Sequence, residues 1–376
     1  MILLLYILFA SFVHSLSYPS LPFAKEDGVY HILFKLGESN MNLPLSLEGD
    51  YIVVNTEKYK PILSRTYKLI HENTVSTFKG LLKQIDFTDM LYLSNELTMN
   101  IHCFLMDETL LVSMTSSEFG LSPTISRVDY SLIHLLKKNE YIRILGFTLY
   151  YNKVEHKGVI YFGDIPSKVI QENDYVGKCK INNMRSKWGC SLDKVLIGDR
   201  AFINNKYAYF QTNEEFISIP NDFYTYLNEN AFSTYIERNK CKELSSLMFN
   251  VSLICDCDII EDIPSFTFVF EKYPFIIEAN KLFIPNNENK CRLIMNSNAN
   301  ASEWIFGTKF LDEYISHYNY ETKEITFFSN NANMIKKIEK KMYILLIIVI
   351  FFGFLILFIV SIKYNLSYKR ISNNKT

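Results

Sequence analysis

Two short stretches of the chain carry carboxylates in a pattern that could perform acid–base chemistry. The first holds Glu48 and Asp50 on either side of Gly49, immediately before an apolar run. The second holds the adjacent residues Glu214 and Glu215, which follow a glutamine, a threonine and an asparagine. Two carboxylates about 3 Å apart share one proton, so one can act as an acid while the other activates water. These residues are the first candidates for hydrolytic chemistry.

Other reactive residues form no recognisable site in the sequence. The seven histidines are scattered, and Cys255 and Cys257 lack the histidine partners that a zinc site would need. His102 stands beside Cys103, a pairing more typical of packed residues than of a nucleophile and its base. The chain has no Gly-x-Ser-x-Gly elbow and no glycine-rich phosphate-binding motif. The sequence therefore predicts no metal site, no cofactor, no bound nucleotide and no serine-hydrolase centre.

The charge of the chain argues against nucleic-acid binding, and its composition favours a β fold. The chain has 39 basic and 40 acidic residues, a net charge of −1, which provides no electrostatic field for nucleic acid. It is rich in tyrosine and phenylalanine, with 25 and 29 residues, and aromatic residues favour strands. The body between two apolar ends is long enough for two lobes, each with its own core.

The elements that must position the carboxylates read mainly as short strands separated by turn residues. Alternation of apolar and polar residues is clearest in Ser265-Phe-Thr-Phe-Val-Phe270. The strands predicted with most support cover residues 30–36, 51–55, 142–151, 158–163, 207–210, 265–271 and 324–328. Helical periodicity is confined to residues 129–138, 222–230 and 309–316. The pattern predicts an all-β body with a few surface helices.

Four stretches in the second half of the chain follow one another in an order typical of a known family. They are LGFTLYY through GVIYFGDIP at 145–166, Lys187-Trp188 followed by VLIGD at 195–199, DIPSFTFVF at 262–270, and WIFGTKFLDEYISHYNYETKEITF at 304–327. This order resembles the pepsin-like aspartic proteases, and the membrane-anchored plasmepsin branch in particular. The resemblance implies a bilobal all-β fold with a cleft between lobes at 24–164 and 165–330.

The resemblance also implies where the two catalytic aspartates of the family should stand. In the C-terminal lobe the pattern Ala-Ile-Val-Asp-Thr-Gly falls on residues 208–213, so the acid position is Gln211, followed by Thr212 and Asn213. In the N-terminal lobe Gly49 sets the register and the acid position falls on Leu47. The flap tyrosine position falls near Asn73. Neither glutamine nor leucine can ionise, so the resemblance implies a fold without the acid pair.

Seven cysteines lie in the body of the chain, and sequence alone does not fix how they pair. The family's C-terminal-lobe bridge matches the spacing of Cys257 and Cys291. Alongside it we expect a local bridge between Cys179 and Cys190 and a third between Cys241 and Cys255, which leaves Cys103 unpaired. Asn250 and Asn300 begin Asn-x-Ser motifs and are the expected glycosylation sites in an oxidising compartment.

The ends of the chain predict a secreted, membrane-tethered protein. Residues 1–17 have the apolar core and small-residue end of a signal peptide. Residues 342–362 contain no charge and are long enough to cross a bilayer as a helix. We therefore expect a lysine-rich stalk at 331–341, one membrane span at 342–362 and a cytosolic tail at 363–376. The body would be lumenal or extracellular, as in a type I single-pass protein of the secretory pathway or cell surface.

These observations predict a membrane-anchored homologue of aspartic proteases that lacks their catalytic acids. We expect it to bind a peptide or protein partner through the interlobe cleft. The residues expected at this cleft are Glu48, Gly49, Asp50, Asn73, Thr212, Asn213, Glu214 and Glu215. Two alternatives stay open at this point. One is an endopeptidase with residual or unconventional activity, and the other is a surface adhesion or structural module.

Overall fold

The structure is a computed structural model that describes most of residues 18–330. The described ranges are 18–77, 80–93, 97–107, 117–123, 128–167, 169–171, 174–181, 187–245, 250–286, 289–298 and 303–330. The predicted signal peptide, stalk, membrane span and tail lie outside these ranges, as does Asn300. Within the ranges described, no helix combines the length and the apolar character that a bilayer crossing needs.

Strands dominate the described chain, and the prediction of an all-β body is confirmed. The first eleven are β1 (Ser20–Glu26), β2 (Val29–Leu36), β3 (Ser39–Ser46), β4 (Ile52–Asn55), β5 (Lys68–Thr77), β6 (Gly80–Tyr92), β7 (Thr98–Asp107), β8 (Glu118–Gly120), β9 (Gly146–Asn152), β10 (Lys157–Phe162) and β11 (Tyr175–Lys180). The remaining strands are β12 (Gly189–Ile197), β13 (Arg200–Phe210), β14 (Ile217–Ile219), β15 (Cys241–Ser245), β16 (Asn250–Asp256), β17 (Phe266–Phe270), β18 (Tyr273–Ile277), β19 (Phe283–Pro285), β20 (Lys290–Leu293), β21 (Met295–Asn298), β22 (Trp304–Phe306), β23 (Tyr314–Asn319) and β24 (Glu324–Ser329).

Helices are short and lie between the strands. The α-helices are α1 (Leu132–Lys138), α2 (Asn221–Leu227), α3 (Ser233–Glu237) and α4 (Thr308–Leu311), and a π-helical turn at Asn228–Phe232 joins α2 to α3. Single 3₁₀ turns occur at Pro61–Leu63, Val128–Tyr130, Cys257–Asp262 and Ala279–Lys281. The predicted helix at 309–316 is wrong in its second half, because β23 begins at Tyr314 and pairs with β9 and β24.

The strands form two large sheets. The first has the order β11-β24-β23-β9-β10-β1-β2-β3-β8-β4-β7-β6-β5, and the second has the order β18-β17-β12-β13-β22-β14-β21-β16-β20-β19, with β15 beside β16. Three strands from the second half of the chain, β11, β23 and β24, belong to the first sheet. The sheets therefore do not divide at residue 165, and the predicted lobe boundary stays a prediction.

The core follows from the residue pattern of the strands. β2 alternates buried and more exposed residues, as expected for a strand with one face on the core. β9, a central strand of the sheet, is buried at six consecutive positions because neighbours cover both of its faces. Large aromatic residues fill the space between layers, with Trp188 and Trp304 completely buried. Burial of this apolar surface is the main force that holds the sheets together.

Three disulfides stabilise the second half of the chain. They join the three pairs of cysteines expected from the sequence: Cys179–Cys190, Cys241–Cys255 and Cys257–Cys291. Cys255 lies directly opposite Cys241 on one neighbouring strand and opposite Cys291 on the other. Cys103 is free and completely buried in the first sheet.

Candidate functional site

Two loops meet where β3 and β13 end, and they have the same pattern of strand pairing. In the first sheet β3 runs parallel to β8, so that Ser46 lies opposite Gly120. In the second sheet β13 runs parallel to β22, where Phe210 lies opposite Phe306, and the next residues on the two strands are Gln211 and Gly307. Ser46 and Gln211 therefore occupy corresponding positions in the two sheets.

Backbone hydrogen bonds after each strand support this correspondence. The amide of Gly120 donates to the carbonyl of Tyr51 at 2.9 Å, and the amide of Gly307 donates to the carbonyl of Phe216 at 3.1 Å. Each acceptor lies five residues after Ser46 or Gln211. The two loops are thus equal in length and similar in shape, as two copies of one structural unit would be.

The threonine of the second loop reaches across to the first sheet. The hydroxyl of Thr212 donates a hydrogen bond of 2.5 Å to the carbonyl of Leu45, and Thr212 is completely buried. Its counterpart in the first loop is Leu47, which has no hydroxyl and packs in the hydrophobic core. The two loops are therefore connected by a side-chain bond that has no reciprocal partner at Leu47.

The sequence placed the counterpart of Gln211 one residue too late in the first loop. Sequence reasoning chose Leu47 because it used Gly49 to set the register, whereas the strand pairing selects Ser46. The hydroxyl of Ser46 accepts hydrogen bonds from the amides of Glu48 and Gly49, at 3.3 and 2.9 Å. A serine at this position accepts hydrogen bonds from backbone amides of its own loop, but it does not ionise at ordinary pH.

Glu48 connects the first loop to the second half of the chain. Its Oε1 accepts a hydrogen bond from Nε2 of Gln211 and an ion pair of 2.6 Å from Nζ of Lys187. The Lys187 ammonium also lies 5.4 Å from the ring centroid of Tyr209, a distance at which a cation is attracted to the ring. Glu48 thus holds Gln211 and Lys187 together where the two loops meet. We call this junction of the loops the cleft floor, after the interlobe cleft that the resemblance predicts.

Further carboxylates lie close to Glu48. Burial raises the pKa of Glu118 above its ordinary value, a hydrogen bond from Ser46 partly opposes that rise, and the charges of Glu48 and Asp50 increase it. Partial desolvation and the charge of Glu48 likewise raise the pKa of Glu214. The floor of the cleft is therefore an acidic region whose charge is partly balanced by Lys187.

The other predicted site residues lie around these two loops. Gly49 is in close contact with Glu118, because a Cβ at this position would lie 2.3 Å from Oε1 of that side chain. Asn213 and Glu214 are exposed, while Glu215 pairs with Lys309 at 3.5 Å. Asn73 lies in β5 opposite Gln84 of β6, in the hairpin where the sequence expected the flap. The structure brings the loop residues together, and Asn73 stays a candidate on its strand position alone.

The remaining reactive groups of the described residues do not form a second catalytic centre. Burial lowers the pKa of His317 to about 4, and its imidazole is hydrogen-bonded to Thr148 at 2.9 Å. Burial, with a contribution from Asp89 and Asp86, raises the pKa of the Cys103 thiol. A buried, un-ionised thiol is a poor nucleophile. Among the residues described, no three histidine, cysteine, aspartate or glutamate side chains cluster in a way that could hold a metal.

Sequence reasoning missed three residues of this site: Ser46, Glu118 and Lys187. Lys187 belonged to a recognised landmark, but its partner Glu48 is far away in the chain. Glu118 lies on β8, a strand of three residues that is too short to show a pattern. Ser46 could have been found by counting back six residues from the apolar strand β4, since Ile217 of β14 also lies six residues after Gln211.

Comparison with known proteins identifies the family. Residues 84–330, well over half of the chain, match the family model described as eukaryotic aspartyl protease. The chain is also similar to aspartic protease Bla g 2 of Blattella germanica, with 27% identity over 175 residues. That match covers 46% of this chain and 46% of the relative, so it spans about half the length of that protein. With the family model covering the second sheet, part of the first sheet and the loop at Gln211, the chain belongs to the eukaryotic aspartyl protease family.

Proposed function

We propose that this protein is a catalytically inactive, membrane-anchored homologue of the aspartic proteases that binds a peptide or protein partner in its interlobe cleft. The observation that carries the proposal is the pair of corresponding loop positions, which hold Ser46 and Gln211. These are the positions where the fold would present its two catalytic aspartates. Neither residue can share a proton with the other as a carboxylate pair does.

The chemistry of the family explains why these two residues matter. Aspartic proteases use a carboxylate from each lobe, one to activate water and one to protonate the carbonyl oxygen. An amide and an alcohol provide neither group at pH 4 to 7. Loss of a single general acid or base typically lowers the rate by a factor of about 10² to 10⁴. Loss of both removes the mechanism.

Contacts of the cleft floor support binding in place of catalysis. Glu48 accepts the Gln211 amide and the Lys187 ammonium, so this floor is held by polar bonds between the two loops. The Thr212 hydroxyl adds a second connection, to Leu45. In this proposal these bonds would preform the floor of the groove, and a preformed groove binds an extended peptide with less loss of conformational entropy than a flexible one. In this proposal the protein keeps the fold of the family and binds a peptide without cleaving it.

The cellular placement in this proposal rests on the sequence of the chain ends. Residues 1–17 and 342–362 have the apolar character of a signal peptide and a membrane span. Three disulfides in the body support an oxidising compartment, because such bonds are rare in the cytosol. We infer a lumenal or extracellular body on one span, with glycans on Asn250 and Asn300. The partner would be met outside the cytosol.

The activity test uses the full chain, purified under oxidising conditions in detergent micelles. A mixed-sequence peptide library is incubated with it at several pH values between 4 and 7, and products are measured by mass spectrometry. We expect no cleavage above that of a boiled sample. Cleavage that is inhibited by pepstatin would overturn the inactive assignment.

The binding test uses the same preparation and a library of fluorescent peptides. Asn213→Trp places a bulky ring on the exposed loop beside Gln211, and Thr225→Trp places the same ring on the exposed face of α2 as a matched control. We expect the first variant to weaken peptide binding at least tenfold and the second to leave it unchanged. Equal binding by both variants would exclude the cleft as the binding site.

A second candidate function is an endopeptidase that uses displaced carboxylates. The raised pKa of Glu118 and Glu214 beside Glu48 favours it, since unequal carboxylates can divide the roles of acid and base. The sequence also offers Asp50, whose charge acts on Glu118. If cleavage is observed, Glu48→Gln distinguishes the candidate: abolished cleavage supports it. Cleavage that is unchanged both in this variant and in the triple variant Asp50→Asn, Glu118→Gln and Glu214→Gln assigns the activity to a contaminant.

A further inference from the structure

An open pocket of about 260 Å³ lies away from the cleft floor, between the β9–β10 hairpin and the segments around α4 and β19. None of the residues that line it is Ser46, Glu48, Lys187 or Gln211. Its walls come from β1, from the hairpin turn and from residues 281–284 and 309–313. The pocket is therefore distinct from the proposed peptide-binding cleft.

Lysines supply most of the charge in this pocket. Four of them line it, together with two carboxylates, and two further carboxylates outside the lining pair with two of these lysines. The lysines are Lys25, Lys153, Lys281 and Lys309. They come from β1, the hairpin turn, a 3₁₀ turn and α4, so only the folded chain brings them together.

The two carboxylates in the pocket are already occupied by partners. Asp312 accepts an ion pair of 2.7 Å from Lys25 and a hydrogen bond of 2.7 Å from the hydroxyl of Tyr30. Glu313 accepts ion pairs from Lys153 at 2.5 Å and from Lys281 at 3.3 Å. These carboxylates hold the lysines in place, and their negative charge is directed to those partners.

The lysines keep donors for a further acceptor. An ammonium group has three N–H bonds, and Lys25 and Lys153 each use one in the ion pairs described. Lys281 also pairs with Glu278 at 3.4 Å, and Lys309 pairs with Glu215 at 3.5 Å. Glu278 and Glu215 are not among the lining residues, and these two distances are long for charge-assisted bonds. An anion in the pocket would find unused N–H groups on several sides.

One wall of the pocket is apolar. Phe283 and Ile284 line it, and so does Tyr151, whose ring centroid lies 5.8 Å from Nζ of Lys25. The hydroxyl of Tyr151 is hydrogen-bonded to Nδ1 of His156 at 3.4 Å. An organic group can pack against these side chains while an attached anion faces the ammonium groups. Ligand sites commonly combine an apolar wall with a few polar anchors in this way.

We propose that this pocket binds a small, water-soluble organic phosphate monoester. The phosphate monoester carries a charge of about −1.5 to −2 at pH 7, and the ammonium groups of four lining lysines would face it. Its three terminal oxygens accept hydrogen bonds from lysines, which bind phosphate as point charges. The volume suits a ligand no larger than a phosphate with one ring.

The first test measures binding of phenyl phosphate to the full chain in detergent micelles by isothermal titration calorimetry. Inorganic phosphate and phenol serve as the two halves of the probe, and micelles that contain phosphatidic acid present the same group on a lipid. We expect saturable binding of phenyl phosphate that is at least tenfold tighter than that of either half. We also expect the affinity to fall as salt rises.

Variants of the lysines locate the site. Lys153→Gln and Lys281→Gln each remove one charged donor, and each should weaken phenyl phosphate binding by roughly tenfold or more. Both side chains are at least one-third exposed, so neither change should affect folding. Lys178→Gln is the matched control, because Lys178 pairs with Glu324 at 3.1 Å in an exposed ion pair outside the pocket.

A second measurement needs no variant. Phenyl phosphate should protect Lys153 and Lys281 of the unmodified protein from acetylation, read by mass spectrometry, while Lys178 reacts at the same rate with and without the ligand. The proposal is overturned by absent binding, or by equal affinity of phenyl phosphate and inorganic phosphate. It is also overturned by an equal loss in the Lys178→Gln control, or by binding of the lipid form alone.

Discussion

The two loops at the cleft floor are alike in backbone and different in what their side chains do. The loop after β13 sends Gln211 and Thr212 across to the first sheet, where they meet Glu48 and the carbonyl of Leu45. In the loop after β3, the Ser46 hydroxyl instead accepts amides of its own loop. The Thr212 hydroxyl therefore connects the two loops without a matching hydroxyl at Leu47.

The two halves of the chain also differ in covalent support. All three disulfides join residues between Cys179 and Cys291, while the first half of the described chain contains the single free cysteine Cys103. The first half contains buried hydrogen-bonded groups, among them the carboxylate of Asp89, which accepts from Tyr59, Ser64 and Thr66. We expect the two halves to respond differently to reduction and to pH.

The largest predicted effect is the loss of a disulfide. The double change Cys257→Ala and Cys291→Ala opens a bridge with a sequence separation of 34. It should lower the free energy of unfolding by about 3 to 4 kcal/mol, because the bridge restricts the unfolded chain. Denaturant titration followed by circular dichroism measures it. Reducing agent is the control: it should destabilise the wild type through its disulfides and leave the surroundings of the free Cys103 unchanged. An unaltered midpoint in the double variant would mean that this bridge does not stabilise the second half of the chain.

A smaller effect is expected at the bond between the loops. Thr212→Val keeps the shape of the side chain and leaves the buried carbonyl of Leu45 without its donor at 2.5 Å. An unsatisfied buried acceptor costs about 1 to 3 kcal/mol, measured as the change in free energy of unfolding. Thr225→Val in α2 removes a hydroxyl of the same kind from an exposed position, and it should cost under about 0.5 kcal/mol. Equal losses of unfolding free energy in the two variants would mean that the bond from Thr212 to Leu45 contributes nothing to stability.

The smallest effect is a pH dependence from the acidic floor. Burial raises the pKa of Glu118 in the folded protein above its ordinary value of 4.5. The ionised form therefore destabilises the fold as pH rises through the raised pKa, and stability is recovered below 4.5. Glu118→Gln should raise the melting temperature at pH 7 and should have a shrinking effect as pH falls toward 4.5. Glu237→Gln, at an exposed position, serves as the control, and a pH-independent difference for Glu118→Gln would rule out this explanation.

Much of the fold could be predicted because its signals are local or belong to long motifs. Alternation in β17 and the landmark that contains Trp304 identify strands of the second sheet. The helix predicted at 309–316 failed in its second half because β23 is buried at five successive positions, polar residues included, and so shows no period of two. Its conformation is decided by neighbours that the sequence does not reveal.

The site was less predictable than the fold. The Gln211 position lies in a stretch where Ala208 and Pro220 both set the register of the family pattern, whereas the first loop has only Gly49 as a guide. Pairing of β3 with β8 resolves the position as Ser46, and that pairing joins residues more than seventy positions apart. Lys187 and Glu48 are separated by an even longer stretch of chain. Contacts of this kind are set by tertiary structure.

The exchange of strands between the two halves has a consequence for how the chain is made. β9 and β10 of the first sheet are synthesised well before β23, which pairs with β9 through four residues. At about 5 to 20 residues per second, synthesis leaves the edge of β9 without its neighbour for roughly ten to thirty seconds. That edge is apolar, and an apolar strand edge is one that other chains can join. We therefore expect nascent chains of this protein to associate through β9 when the last strands are late or missing.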